Sequence, residues 1–208
     1  MKQIAIVQRA EFIEKRNETC DLIDQRLTDF LLSNNYFPIF LPNNTSYVKM
    51  FIKNVAVDGI ILSGGDALTK YNGISLERDE VERLMIKFSM SKDIPLLGIC
   101  RGMQAIQDFF QNNIHPVKSH VNTKHVLKVQ GSNRFCKIIQ SDRIVNSYHN
   151  YGSFKVEKNF LCLATSDDGV VEAIKHDKKE IYGIMWHPER NKPFRKADKL
   201  LIKYIFGS

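Results

Sequence analysis

Cys100 stands in Gly98-Ile99-Cys100-Arg101-Gly102-Met103-Gln104, after the apolar run Ile94-Pro95-Leu96-Leu97 and before a helical pattern over 105–110. A nucleophile between glycines at a strand-to-helix junction makes a nucleophile elbow. The chain reverses so sharply there that a Cβ on either side would strike neighbouring strands, and the thiol is held in a strained, exposed turn. The helix that follows points its N-terminus at the sulfur, which favours thiolate. Far downstream, Trp186-His187-Pro188-Glu189 supplies an imidazole and a carboxylate separated by one residue. Cys, His and Glu are the parts of a thiol-based acyl-transfer triad. A solitary cysteine reads as a buried, inert side chain. The flanking glycines and the base-plus-carboxylate element set Cys100 apart from that reading.

The elements that must position these groups follow from hydrophobic periodicity. Short apolar runs alternate with amphipathic stretches: strand over 4–7, helix over 20–32, strands over 37–41 and 57–62, helix over 76–90 and strand over 94–99. This rhythm predicts right-handed βαβ units around a parallel sheet buried on both faces, an α/β fold. The second half changes character. Runs over 126–129, 153–156, 161–164 and 170–174, with Asp167-Asp168-Gly169 as a turn signal, read as short antiparallel strands, and a helix over 196–206 closes the pattern. The polar clusters at 43–45 and 112–113 read as turns. Ser63-Gly64-Gly65, Cys100 and His187 all follow apolar strands, and ligands of open α/β sheets bind at the carboxyl ends of strands. The pattern therefore gathers them at one rim.

Composition narrows the class. A chain of 208 residues, 43% hydrophobic, suits a single domain over 1–208. No apolar run is long enough to span a bilayer, and the first residues read as a β-strand rather than a signal peptide. Cys20, Cys100, Cys136 and Cys162 lack paired spacing, which fits a reducing, cytoplasmic setting. The net charge of +7 points to anionic partners, but Lys and Arg are scattered without a nucleic-acid motif, so a small anionic substrate is favoured over nucleic acid. His115, His120 and His125 recur at intervals of five, do not share a helix face and are followed closely by Pro116 in the first case. No metal or organic cofactor is expected from that spacing.

The segments Ile60-Ile61-Leu62-Ser63-Gly64-Gly65, Gly98 to Gln104 and Gly183-Ile184-Met185-Trp186-His187-Pro188-Glu189 together resemble the class I glutamine amidotransferase-like superfamily. The Cys-Arg-Gly elbow, the start Val7-Gln8-Arg9 and Val145-Asn146-Ser147-Tyr148-His149 are more similar to its stand-alone γ-glutamyl hydrolases than to synthase-bound glutaminases. The resemblance implies a flavodoxin-like three-layer sandwich, with a mostly parallel central sheet and a small antiparallel accessory sheet. It implies an oxyanion hole from the backbone of Gly65 and Arg101, with Gly64 allowing close approach of substrate. Gln104 would grip the glutamyl group, and Asn146, Ser147, Tyr148 and His149 would hold its α-amino and α-carboxylate end. The histidines at 115–125 would belong to a loop near the site mouth. Asn112-Asn113 stands where relatives often carry Gly-Gly.

The activity implied is hydrolysis of a γ-glutamyl amide through a glutamyl-thioester. A glutaminase subunit feeding ammonia to a synthase, and a non-catalytic binding protein on the same fold, are the alternatives. Arg9, Lys15 and Arg16 follow the first strand, and Lys70 and Arg190 lie near other rim loops. Cations so placed would suit a phosphorylated leaving group, and Arg9 and Arg16 are the expected contacts. Taken with this charge, the resemblance to hydrolases of that kind implies a γ-glutamylated phosphoramidate such as γ-glutamyl-CDP-amidate, used when capsule sugars receive phosphoramidate groups.

Overall fold

Residues alternate inward along β1 (Lys2–Val7): Ile4 and Ile6 enter one hydrophobic core, Ala5 and Val7 the other. A strand apolar on both sides must be covered on both faces, and the rest of the chain does this. The computed structural model describes residues 1–207. After β1 come a hairpin of β2 (Arg9–Ile13) and β3 (Glu18–Leu22), α1 (Gln25–Leu32), β4 (Tyr36–Leu41), α2 (Thr45–Asn54) and β5 (Gly59–Leu62). Next are α3 (Leu76–Lys92), β6 (Leu96–Ile99), α4 (Arg101–Phe109), β7 (His115–Pro116), β8 (Val121–Val126), β9 (Lys128–Val129) and α5 (Arg134–Gln140). The chain continues through β10 (Ile144–Tyr148), β11 (Tyr151–Gly152), β12 (Phe160–Thr165), β13 (Val171–His176), β14 (Ile181–Ile184) and α6 (Lys196–Phe206).

The central sheet has the order β4-β1-β5-β6-β14-β13-β12-β9. Strands β4 to β14 in that order run parallel, and β13, β12 and β9 extend the edge antiparallel. Leu27, Phe30, Phe135, Leu201 and Ile205 bring α1, α5 and α6 onto one face. Val48, Val81, Met85, Met103 and Ile106 bring α2, α3 and α4 onto the other. The three-layer α/β sandwich is as expected. Small two-stranded pairs, β8 with β10 and β7 with β11, lie apart from the main sheet.

Four local readings are corrected. The helix expected over 20–32 begins only at Gln25, where Asp24 caps it by accepting from the Arg26 amide. Residues 20–22 instead pair with β2, because Asn17 takes the left-handed conformation that lets the chain fold back as a hairpin. The cluster at 43–45 is a helix start: Asn44 accepts from the Tyr47 amide and caps α2. The run at 126–129 is broken at buried Leu127. Residues 153–156 form no strand; the segment is held by Gln107 donating to the Ser153 hydroxyl and by the Val171 amide donating to the Ser153 carbonyl. The closing helix over 196–206 is found as expected. Among the described residues no helix is long and apolar enough to cross a membrane.

Candidate active site

The elbow geometry has a steric cause. A Cβ on Gly102 would lie 2.1 Å from the Leu62 carbonyl oxygen, and one on Gly98 would lie 2.5 Å from the Gly102 backbone. Only glycines let α4 pack so closely on β5 and β6. Cys100, between them, adopts φ 52 and ψ −106, a conformation costly for any residue with a Cβ, and its amide donates to the Ile184 carbonyl at 2.7 Å. Its side chain is buried at the first turn of α4, whose leading amides have no intrahelical acceptors. The Arg101 N–H is one of these.

His187 follows β14 in extended conformation and leads into the short 3₁₀ turn Pro188–Arg190, which swings Glu189 back toward the ring. The imidazole Nδ1 lies 2.8 Å from Glu189 Oε1, and both side chains are buried. Burial alone would push His187 down, but the Glu189 carboxylate and the Cys100 sulfur outweigh it and raise the imidazole to about 9. The cation is therefore favoured on the ring at neutral pH. Asn146 fixes the His187 main chain, accepting from its amide at 2.9 Å and donating to its carbonyl at 2.8 Å. Gly64 lies under the ring: a Cβ there would sit 2.6 Å from His187 Cε1.

The Ser63-Gly64-Gly65 strand end is tied down by a buried guanidinium. Arg78, on α3, donates to the Ser63 carbonyl at 2.6 Å and the Gly64 carbonyl at 3.1 Å. Its own charge is met by Glu82, which also pairs with Arg101, and Arg101 reaches Asp79. Burial, and then the Arg101 cation, lower Arg78 to about 10, so it stays protonated at neutral pH. The Arg101 side chain is thereby turned into α3, while its amide remains at the elbow. Arg78 positions this strand end and was not singled out in the sequence; a charged residue at a buried helix position, four before Glu82, is the available signal.

Cys100 sits where two cavities meet, one of about 330 Å³ and one of about 130 Å³. Both are also lined by Gly65, Asp66 and Tyr148. The smaller adds Gln104 and His149; Gln104 donates to the Tyr151 carbonyl at 3.0 Å, leaving its own amide oxygen available. The larger adds His187 and Glu189 with Arg9, Asp24 and Arg190.

Three comparisons place this arrangement among known proteins. The Peptidase C26 model matches residues 4–189. The chain belongs to the Peptidase C26 family. It is similar to a γ-glutamyl-CDP-amidate hydrolase of Campylobacter jejuni, 37% identical over 163 residues that cover 76% of this chain and 74% of the relative. It is also similar to a subunit of the glutamine-hydrolysing GMP synthase of Methanosphaera stadtmanae, 32% identical over 149 residues, 72% of this chain and 73% of that one. A solved glutamine amidotransferase from Thermotoga maritima shares the fold with TM-score 0.66 and 17% identity, covering 98% of this chain and 86% of that chain. The Peptidase C26 family and the likeness to a γ-glutamyl hydrolase support a hydrolase.

Within this Peptidase C26 chain the expected contacts are only partly brought together. Gly64, Gly65, Arg101, Gln104, Tyr148 and His149 lie around Cys100. Asn146 and Ser147 do not offer their side chains to either cavity: Asn146 is taken up by His187, and the Ser147 hydroxyl donates to the His120 carbonyl. Of the cations expected at the rim, Arg9 lines the large cavity, but Arg16 does not. Arg16 sits at the hairpin tip beside Glu18, and Lys70 is paired with Asp108. Arg190, outside the expected contact set, lines the cavity and lies 4.4 Å over the Tyr148 ring. Of the histidines expected in a loop near the mouth, His120 is in the irregular segment just before β8 but buried, whereas His115 lies in β7 and His125 in β8. The His120 and His125 rings pack together with centroids 4.2 Å apart.

Proposed function

We propose that this protein is a cysteine-dependent γ-glutamyl hydrolase that releases glutamate from an amide or phosphoramidate carrying an anionic leaving group. The reading is supported above all by the position of Cys100 between a small polar cavity and a larger one bordered by arginines. In this reading the smaller cavity takes the glutamyl moiety, with the Gln104 amide oxygen accepting from its α-ammonium. The thiolate of Cys100 attacks the γ-carbonyl, and the backbone amides of Gly65 and Arg101 receive the oxyanion. His187, as imidazolium, gives its proton to the departing nitrogen. It then takes a proton from the water that cleaves the γ-glutamyl thioester. Glu189 orients the ring and offsets its charge. No organic cofactor enters this chemistry.

The larger cavity takes the leaving group. Its acids have local partners: Asp24 with Arg26, Glu189 with His187, Asp66 with Arg78, and Glu11 with Arg9. Arg9 and Arg190 each keep a buried Nε–H without a hydrogen-bond acceptor among the described residues. Such donors suit phosphate oxygens. A γ-glutamylated phosphoramidate, as handled by the relative named for γ-glutamyl-CDP-amidate, is the substrate class this reading favours. A panel of γ-glutamyl compounds, with glutamate release as readout, tests it. Phosphate-bearing members should be cleaved with higher kcat/KM than glutamine or γ-glutamyl-aminobutyrate. Preference for glutamine would favour the glutaminase alternative instead.

A further inference from the structure

Beneath the small cavity lies a group of side chains that the chemistry above does not use. Glu172, on β13, is fully buried, and neither of its carboxylate oxygens has a hydrogen-bond partner. A bare buried carboxylate is among the most costly groups a protein can hold, so a cation must face it. Two buried imidazoles do. His120 Nδ1 and His149 Nε2 each lie 3.4 Å from Glu172 Oε1, and 3.2 Å from one another.

The outer nitrogens decide where the protons are. His149 Nδ1 lies 3.0 Å from the Tyr151 carbonyl, which can only accept, so that nitrogen carries the hydrogen. His120 Nε2 lies 2.9 Å from the Asp168 carboxylate and carries its hydrogen for the same reason. In the neutral rings the inner nitrogens are then lone-pair donors clustered with the carboxylate oxygen. Three donor atoms 3.2 to 3.4 Å apart form a near-equilateral triangle. Ligands about 2.0–2.1 Å from a tetrahedral ion are separated by roughly 3.3–3.4 Å, so the triangle matches one face of such a site. His125 lies beside this triangle: its Nε2 is buried without a partner among the described residues, and His120, His125 and Glu172 have ligating atoms within 4.8 Å of one another. Histidines whose outer N–H is held by a carboxylate or a backbone carbonyl are the usual ligands of zinc.

We propose that His120, His149 and Glu172, with His125 beside them, form a structural site for a divalent transition metal of the zinc type. With all three ligands buried, the ion would brace the fold rather than react. It would join the start of β8, the end of β10 and β13. Through His149 it would also hold Tyr151, whose carbonyl receives Gln104 in the small cavity. Spacing alone does not show the site, because Glu172 and His149 come from elements distant in sequence.

Metal content of the full-length protein, expressed in zinc-supplemented medium and dialysed, tests the proposal. About one zinc per chain is expected. Cobalt added to the stripped protein should give the intense visible absorption of tetrahedral Co²⁺. Zinc in large excess over its dissociation constant should raise the Tm of the stripped protein by about 5 °C or more. Glu172→Gln and His120→Ala should each weaken binding at least tenfold, and His115→Ala, at an exposed position, should not. Less than about a tenth of an ion per chain, with no cobalt spectrum and no Tm response, would overturn the proposal and leave protons as the cations facing Glu172. Equal binding by wild type and both folded variants would also overturn it. If the variants do not fold, the wild-type content and spectrum still decide.

Discussion

At the scale of single residues the site is a matter of charge placed beside a strained thiol. Replacing Cys100 by Ala or Ser should abolish glutamate release with the fold retained, checked by turnover and circular dichroism. Glu189→Gln should cost less than His187→Ala, because it loses orientation and keeps the base. The His187 ring stays protonated until pH passes about 9, so kcat/KM should fall on a basic limb near there as the proton needed by the departing nitrogen is lost. Glu189→Gln removes the strongest attraction on that proton and should move the limb to lower pH. The same linkage makes a stability statement. Because the folded value lies above the ordinary 6.5, the contribution is fully present below 6.5 and fades as pH rises through about 9. Thermal unfolding from pH 6 to 10 should show that loss, and should show less of it in His187→Gln. A rapid iodoacetamide pulse should label Cys100 ahead of Cys20, Cys136 and Cys162, read by mass mapping. Burial raises Cys162 to about 11 and also raises Cys136, which slows both.

At the scale of elements, the closest tolerance is that between α4 and β5. Gly102→Ala places a methyl 2.1 Å from the Leu62 carbonyl, so the helix must move. The variant should lose about 1–3 kcal/mol of stability by denaturant titration, and turnover should fall with it because Cys100 and Arg101 ride on the same turn. This elbow was readable in advance because its constraint is local: glycines flank the nucleophile wherever a helix must start against a strand. The β2–β3 hairpin was not, because Cys20, Ile23 and Leu27 fall at the three- and four-residue spacing of a helix face and only Asn17 marks the reversal. The roles of Asn146 and Ser147 were equally hidden. Which main chain a polar side chain satisfies depends on strands far apart in sequence, here β10 beside the end of β14.

At the scale of the whole molecule, surplus positive charge matters only where the fold gathers it. Sequence position placed Arg16 and Arg9 together, whereas the structure keeps only Arg9 of that pair at the cavity, with Arg190 from the rim loop after β14. Arg190→Ala and Arg9→Ala should therefore each reduce kcat/KM for a phosphate-bearing γ-glutamyl substrate more than for a neutral-tailed one, while Arg16→Ala should change neither. Rising salt should weaken capture of the anionic substrate, since the screening length falls from ~10 Å near 0.1 M to about 3 Å near 1 M.

The two cavities that meet at Cys100 also set the traffic of products. On the proposed thioester route, the leaving group departs through the wide chamber while the acyl group is still tethered in the narrow one, and water then enters by the route just vacated. Release is thereby sequential, with glutamate last. Glutamate should inhibit competitively against substrate, because it rebinds the empty protein; the amine product should inhibit noncompetitively, because it meets the acylated form. Hydroxylamine, small enough to follow the water, should divert the intermediate into γ-glutamyl hydroxamate in proportion to its concentration.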